Sequence, residues 1–264
     1  MKFPALILPV IAASCATLPN PYDVPTSRTD EKADTILRAS ASAHGDPWKR
    51  YRTVKVSFDG RWGKLATRIQ PALTDPAFRK SSIETYRTGR KDVSQTHTGP
   101  AGTKTVSRDG SSISVSYNGT PTSNGEKLDA AALVTDAYTV FLFGSSWLAA
   151  NGENLQLLPG QSIDGEACHL VSGALKPGLG NSPSDNFIAW ISEDTKLLKR
   201  FQFTLNGLES TQGADVEVTF SLMRTAPDGS AWPTRFVEKV QRPIKIQAHQ
   251  WDMTSLFLDD KKVF

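Results

Sequence analysis

Cysteine is almost missing from this 264-residue chain, which has two, Cys15 and Cys168. A disulfide-stapled scaffold needs several pairs and is excluded. Histidine is scarce too. His44, His97, His169 and His249 lie far apart with no His-x-His or HExxH spacing, so no metal site is expected. An excess of one charge is also lacking: 30 Lys and Arg against 27 Asp and Glu leave a net charge of +3, spread evenly along the chain. The longest basic cluster, TYRTGRKD, is broken by Thr, Gly and Asp. With no RNA-binding aromatic motif and no helix-turn-helix pattern, nucleic acid is set aside as a partner.

Catalytic signatures are equally thin. There is no G-x-S-x-G elbow, and GLGNS after Pro177 lacks the third glycine and the following helix of a phosphate-binding loop. The acid pairs Glu193 and Asp194, and Asp259 and Asp260, read as solvated turns and tails. His97 sits in the Gly-rich stretch THTGPAGTK, where backbone amides often serve function, but the stretch reads more readily as a hairpin turn. A hydrolase would have to rest on His97 or Asp185. No catalytic residue, metal or cofactor is assigned, and the chain is read as a non-enzyme.

The N-terminus is informative. Lys2 precedes an apolar run from Phe3 to Ala13, the length of a signal-peptide core and too short to cross a bilayer. Ala12, Ala13 and Ser14 then lead into Cys15, the layout of a bacterial lipoprotein signal whose cysteine becomes the acylated first residue. Ala12 stands where Leu is usual, and Pro4 and Pro9 interrupt the run, so ordinary cleavage near Ser14 or Ala16 competes. Residues 1–15 are thus expected to be a signal segment and 16–27, with three prolines, a tether. Several acyl chains on Cys15 would hold the protein stably. Ala16, where Asp would favour the inner membrane, points to the outer membrane and a domain facing the periplasm. After processing Cys168 has no partner; it reads as a small core residue in a strand, with His169 pointing the other way.

Residues 28–264 contain no obvious linker and are expected to form one domain. Arg28 to Ala43 predicts a helix capped by Thr29 or Asp30. WKRYRTVKVSFDGRWGKLATRIQPAL predicts two strands joined at Asp59-Gly60, with a bulge near Gly63. SSIETYRT, DVSQTHTG, GTKTVSRDG and SSISVSYNG predict an antiparallel meander, polar on both faces and only thinly covered on one. Then the chain turns apolar. From Ala130 to Leu148 hydrophobic residues occur nearly all round a helix, with Asp129 as N-cap and Gly144 or Gly152 near the end. Such a helix must be buried on every side, and the concave face of a curved sheet is the economical place. Strands resume afterwards, with hairpins at Asp164-Gly165, at Glu193-Asp194 and at Asp228-Gly229, and a final strand after Pro243. The fold class is mainly β: a curved antiparallel sheet, an N-terminal helix and a buried hydrophobic helix.

SIDGEACHLV, DNFIAWISEDTKLLKRFQF and DGSAWPTRFVEKV together resemble the second half of the LolA/LolB-like superfamily. Trp190, Ile191, Ser192 and Thr195 match its "WID..T" type turn, and Asp228, Gly229 and Pro233 its "DG...P" turn. The resemblance implies an unclosed β-barrel in which a helix shields a hydrophobic cavity that takes acyl chains. An anchored relative would be closer to the receptor of that group than to its soluble shuttle. The polar meander from Ile83 to Tyr117 is longer than the resemblance implies, and only SSWLAANG, around Trp147 and Leu148, suggests an exposed apolar loop.

Leu133, Tyr138, Phe141, Phe143, Trp147, Trp190, Phe201 and Phe203 are the candidate lining of that cavity. If it is hollow, the protein binds lipid or lipoprotein acyl chains; if filled, it is an envelope scaffold or protein-interaction module with a packed barrel. Expected partners are lipid, the membrane through Cys15, and other envelope proteins. Residue types alone do not separate a filled core from a hollow one.

Overall fold

The computed structural model describes residues 18–23, 28–90 and 92–264. Cys15 and the whole expected signal segment lie outside the described residues. Among the described residues fourteen strands form one antiparallel sheet. They are β1 (Thr53–Trp62), β2 (Ser81–Arg87), β3 (Asp92–Gly99), β4 (Gly102–Asp109), β5 (Ser112–Tyr117), β6 (Thr120–Pro121), β7 (Gly152–Ile163), β8 (Glu166–Leu175), β9 (Asp185–Ser192), β10 (Leu198–Thr204), β11 (Asp215–Thr225), β12 (Ala231–Arg242), β13 (Ile246–Leu258) and β14 (Lys261–Lys262). Their order is β6-β5-β4-β3-β2-β1-β13-β12-β11-β10-β9-β8-β7, with β14 added to β13. The chain therefore begins in mid-sheet, works out to β6, and resumes at the opposite edge, β7.

One helix makes that crossing, α5 (Gly125–Asn151). At 1.5 Å per residue a helix of this length reaches about 40 Å, enough to run from one edge of the sheet to the other across its concave side. The two edges do not pair, so the barrel stays open. Asn124, not Asp129, is the N-cap: its side chain accepts from the Lys127 amide at 2.9 Å. Gly144 (φ 51°, ψ −130°) breaks the helical path, and the helix continues beyond it, so SSWLAANG is its last turns rather than a loop. Gly144 is needed there because a side chain rarely adopts a positive φ, and a Cβ would also lie 3.1 Å from Leu198. By length and composition α5 could cross a membrane, but most of it is buried inside the protein. Each fully buried Leu or Phe contributes about 1.5–3 kcal/mol over its exposed state. For α5 these include Leu133, Phe141, Phe143 and Leu148.

The expected N-terminal helix is α1 (Glu31–Ala43), capped by Asp30, which accepts from the Lys32 amide at 2.7 Å. Ala33, Leu37 and Ala41 recur every four residues and are buried beneath it, mainly against α5. A short α2 (Pro47–Arg50) then leads into β1.

The expected hairpin at Asp59-Gly60 does not form. β1 runs straight through it and pairs with β13, and Gly60 faces Trp251. A Cβ on Gly60 would stand 2.3 Å from the Trp251 ring, so this glycine makes room for an indole instead of a turn. The following residues are helical: α3 (Lys64–Ile69) and α4 (Pro71–Thr74). Leu65 and Ile69 are spaced i,i+4 on α3, a helical rather than a strand period.

The polar meander is not thinly covered. Ser82, Glu84, Gln95, His97, Lys104 and Arg108 alternate inward along β2, β3 and β4 and are all buried. His97 consequently belongs to a strand, not to a turn. The second half packs the aromatic core, with Phe187, Phe201, Phe203, Trp232 and Trp251 against α5. A separate cluster forms from Ile163, Cys168, Leu170, Ile188 and Trp190, and Leu18 packs against it. Residues 18–23, within the expected tether, are held to the sheet: Tyr22 donates to the Ala214 carbonyl at 3.0 Å, and Arg242 to the Pro19 carbonyl at 3.0 Å.

Candidate functional site

A cavity of about 230 Å³ lies between α5, the α3–α4 segment and strands β10 to β13. Leu133, Val134, Ala137 and Phe141 form its floor along one side of α5. Phe203, Val216, Val240 and Ala248 close it from the sheet, and Leu73 from α4. Ile69 on α3 and Ile244 in the turn before β13 also line it, and these two side chains are 45% and 53% exposed. Both therefore leave aliphatic surface exposed beside the cavity. Strand pairing explains how the walls meet: β1 lies beside β13, so Trp62 faces His249 across the ladder and α3 follows directly above them.

One end of the cavity is polar. Trp62 stacks on His249 at a ring separation of 4.7 Å, and its indole nitrogen donates to the Arg79 carbonyl at 2.6 Å. The Arg79 guanidinium lies near two rings, 4.8 Å from the centre of Trp62 and 5.3 Å from that of Tyr138. It donates to the Tyr138 hydroxyl at 2.6 Å and to the Leu73 carbonyl. Tyr138 also meets His249 Nε2 at 2.9 Å and accepts from the Trp251 indole. His249 Nδ1 is 2.7 Å from the Glu238 carboxylate. Burial raises the Tyr138 phenol well above its ordinary range, so it stays protonated.

Behind this end lie further buried polar groups. Glu84 accepts from Ser82 at 2.7 Å and from Tyr86, and burial lifts its carboxyl above the ordinary carboxylate range. Burial, then the Arg79 and Lys104 charges, push the His97 imidazole well below its ordinary value, so it is neutral. Lys104 pairs with Asp75 at 2.9 Å; burial and then the Arg79 charge bring its ammonium down to about 8.

A second, wider cleft of about 570 Å³ opens on the other side of α5, between β2–β4, the start of β7 and the 176–181 loop. Arg108 and Asp136 cross it at 2.8 Å, and the Gly180 amide donates to the same carboxylate at 2.9 Å. Its lining is more polar and more open to water. The first cavity is the better candidate for an apolar ligand.

The expected lining residues divide. Leu133, Tyr138, Phe141 and Phe203 line the first cavity. Phe201 is buried behind Phe203, with ring centres 5.1 Å apart. Phe143 packs against Trp48 and Tyr86, away from the cavity. Trp147 borders the second cleft. Trp190 joins neither, because it alternates with Ala189 and Ile191 and belongs to the cluster on the opposite face. Arg79, Glu238 and the pairing of Trp62 with His249 were not anticipated. No local pattern marks Arg79 in PAFRKSS; its role appears only when β1, β13 and α5 are brought together.

No protein-family model matches the sequence, and no curated protein matches it. Solved structures do. A DUF1329 family protein from Desulfovibrio piger aligns over 88% of this chain and 94% of its own, with 13% identity and a TM-score of 0.51. The two chains share a fold. A LolA superfamily protein from Nitrosomonas europaea also aligns, over 86% of this chain and 93% of its own, with 13% identity and a TM-score of 0.48. The unclosed barrel and buried helix implied by the sequence resemblance are both present, so that resemblance holds at the level of fold.

Proposed function

We propose that this chain is a non-catalytic lipid-binding protein of the bacterial envelope, taking one acyl chain at a time into the cavity beside α5. The observation that supports it most is a hollow, aliphatic- and aromatic-walled space whose entrance carries the exposed side chains of Ile69 and Ile244. A drug-sized ligand commonly fills about 300–1,000 Å³. At about 230 Å³ this cavity suits a single chain better than a multiply acylated group. Burying about ten methylenes contributes about 8 kcal/mol. Association takes back at least about 4 kcal/mol of that, so the affinity left is useful but modest.

In the same reading Cys15 carries the lipid anchor, and the domain stands at the outer membrane facing the periplasm, in contact with lipid and with other envelope proteins. A Cys15→Ser variant is expected to move from the membrane fraction to the soluble fraction. The cavity itself is tested with an apolar fluorescent probe titrated into the purified protein and displaced by fatty acids. Saturable binding and displacement support the reading. A probe that never binds would favour an envelope scaffold whose barrel carries no ligand.

A further inference from the structure

Arg79 is the unexplained charge in the cavity wall. Its side chain is 1% exposed, yet among the described residues no carboxylate lies within 4 Å of the guanidinium. Its partners are a carbonyl, a phenol and two rings, and its Nε has none. A buried cation without a counter-charge is costly, and folds seldom keep one without use.

The neighbouring acids do not supply the missing charge. Glu238, on the cavity wall, is engaged by His249 and reaches Arg79 only through His249 and Tyr138. Asp75 is held by Lys104 and Tyr117, each at 2.9 Å. Glu84 is held by Ser82 and Tyr86, and burial raises its carboxyl above the ordinary range. The positive field of Arg79 reaches Glu84 beyond ion-pair distance, drawing its carboxyl down against the lift of burial, and it discourages Lys104 and His97 from carrying charge.

We propose that Arg79 and Tyr138 form the head-group site of the cavity, and that its ligand is a single-chain lipid with an anionic head, a carboxylate or a phosphate monoester. This rests on the lipid-binding reading above. The guanidinium fork has unused N–H donors suited to two oxygens of one anion. The Trp62 and Tyr138 rings beside it and the bonds to Tyr138 and Leu73 hold the guanidinium in place at the cavity wall. The head enters first and the tail lies along Leu133, Phe141 and Val216 toward Ile244.

The test is displacement of the same apolar probe from the full protein by three ligands of equal chain length: laurate, dodecyl phosphate and dodecanol. At least one anion is expected to bind about tenfold tighter than the alcohol, a difference of about 1.4 kcal/mol. The tighter of the two anions identifies the head. In Arg79→Met the preference is expected to vanish while dodecanol still binds. Dodecanol binding as tightly as both anions to the unaltered protein overturns the head-group site and leaves lipid binding intact. Failure of all three to displace the probe, or of the probe to bind, overturns lipid binding itself. The unaltered protein decides the question even if Arg79→Met does not fold.

Discussion

Arg79 Nη2 lies 2.6 Å from the hydroxyl oxygen of Tyr138, and this contact ties the segment before β2 to the middle of the buried helix. The same oxygen accepts from Trp251 and meets His249 Nε2 at 2.9 Å, so one phenol joins β13, α5 and the chain entering β2. Tyr138→Phe would orphan two buried donors at once. A loss of about 2–6 kcal/mol is expected, at about 1–3 per orphaned group, seen as a thermal midpoint lowered by several degrees. An unchanged midpoint would mean that the cluster adds nothing to stability.

The His97 imidazole gives a pH dependence with a definite sign. The unfolded imidazole titrates near about 6.5, while burial holds the folded one well below that. Between those values the unfolded chain binds the extra proton. Stability from this group is therefore present above about 6.5 and is lost as pH falls, by up to about 1.4 kcal/mol for each pH unit. His44, also pushed down by burial, acts in the same sense, whereas Glu84, pushed up, opposes it. The measurement is therefore a comparison. Between pH 7.5 and 5.5 the thermal midpoint of His97→Gln should fall less than that of the unaltered protein, and parallel curves would show that His97 titrates normally.

Gly60 offers a test of the packing between β1 and β13. An added Cβ would meet the Trp251 ring at 2.3 Å, with the β13 backbone behind it. Gly60→Ala should destabilise by about 1–3 kcal/mol through overpacking and change the tryptophan emission, because Trp251 contacts Trp62 and Tyr138 edge-on. A variant as stable as the parent, with unaltered emission, would contradict this packing.

Filling the cavity should separate stability from binding. Ala137 faces it from α5, so Ala137→Leu adds apolar volume where space exists. The variant is expected to gain about 0.5–2 kcal/mol while binding of the apolar probe weakens severalfold. Weaker binding together with lower stability would mean that no space is available there.

Much of this architecture was legible in the residues themselves. The Asp30 cap, the hairpins at Asp164-Gly165 and Asp228-Gly229 and the meander strands follow local rules, and local rules hold wherever neighbours in sequence are neighbours in space. The buried helix was legible because it is apolar on every side. Asp59-Gly60 was misleading because glycine serves two purposes, a turn and a close approach, and only the position of Trp251, nearly two hundred residues later, decides between them. The cavity was half legible. Leu133, Tyr138 and Phe141 follow from the helix, and Phe203 from strand alternation, but the same alternation places Trp190 on the far side. Arg79 was invisible because its meaning lies in its contacts with Trp62 and Tyr138 and in the lack, among the described residues, of a carboxylate within ion-pair distance.

The most direct measurement is native mass spectrometry of the protein purified from its own membranes, followed by organic extraction. The expected result is a folded domain carrying extractable lipid, one acyl chain per protein, in addition to any mass fixed covalently on Cys15. A domain that arrives empty, and that takes up no lipid when offered it, would contradict a lipid-binding cavity.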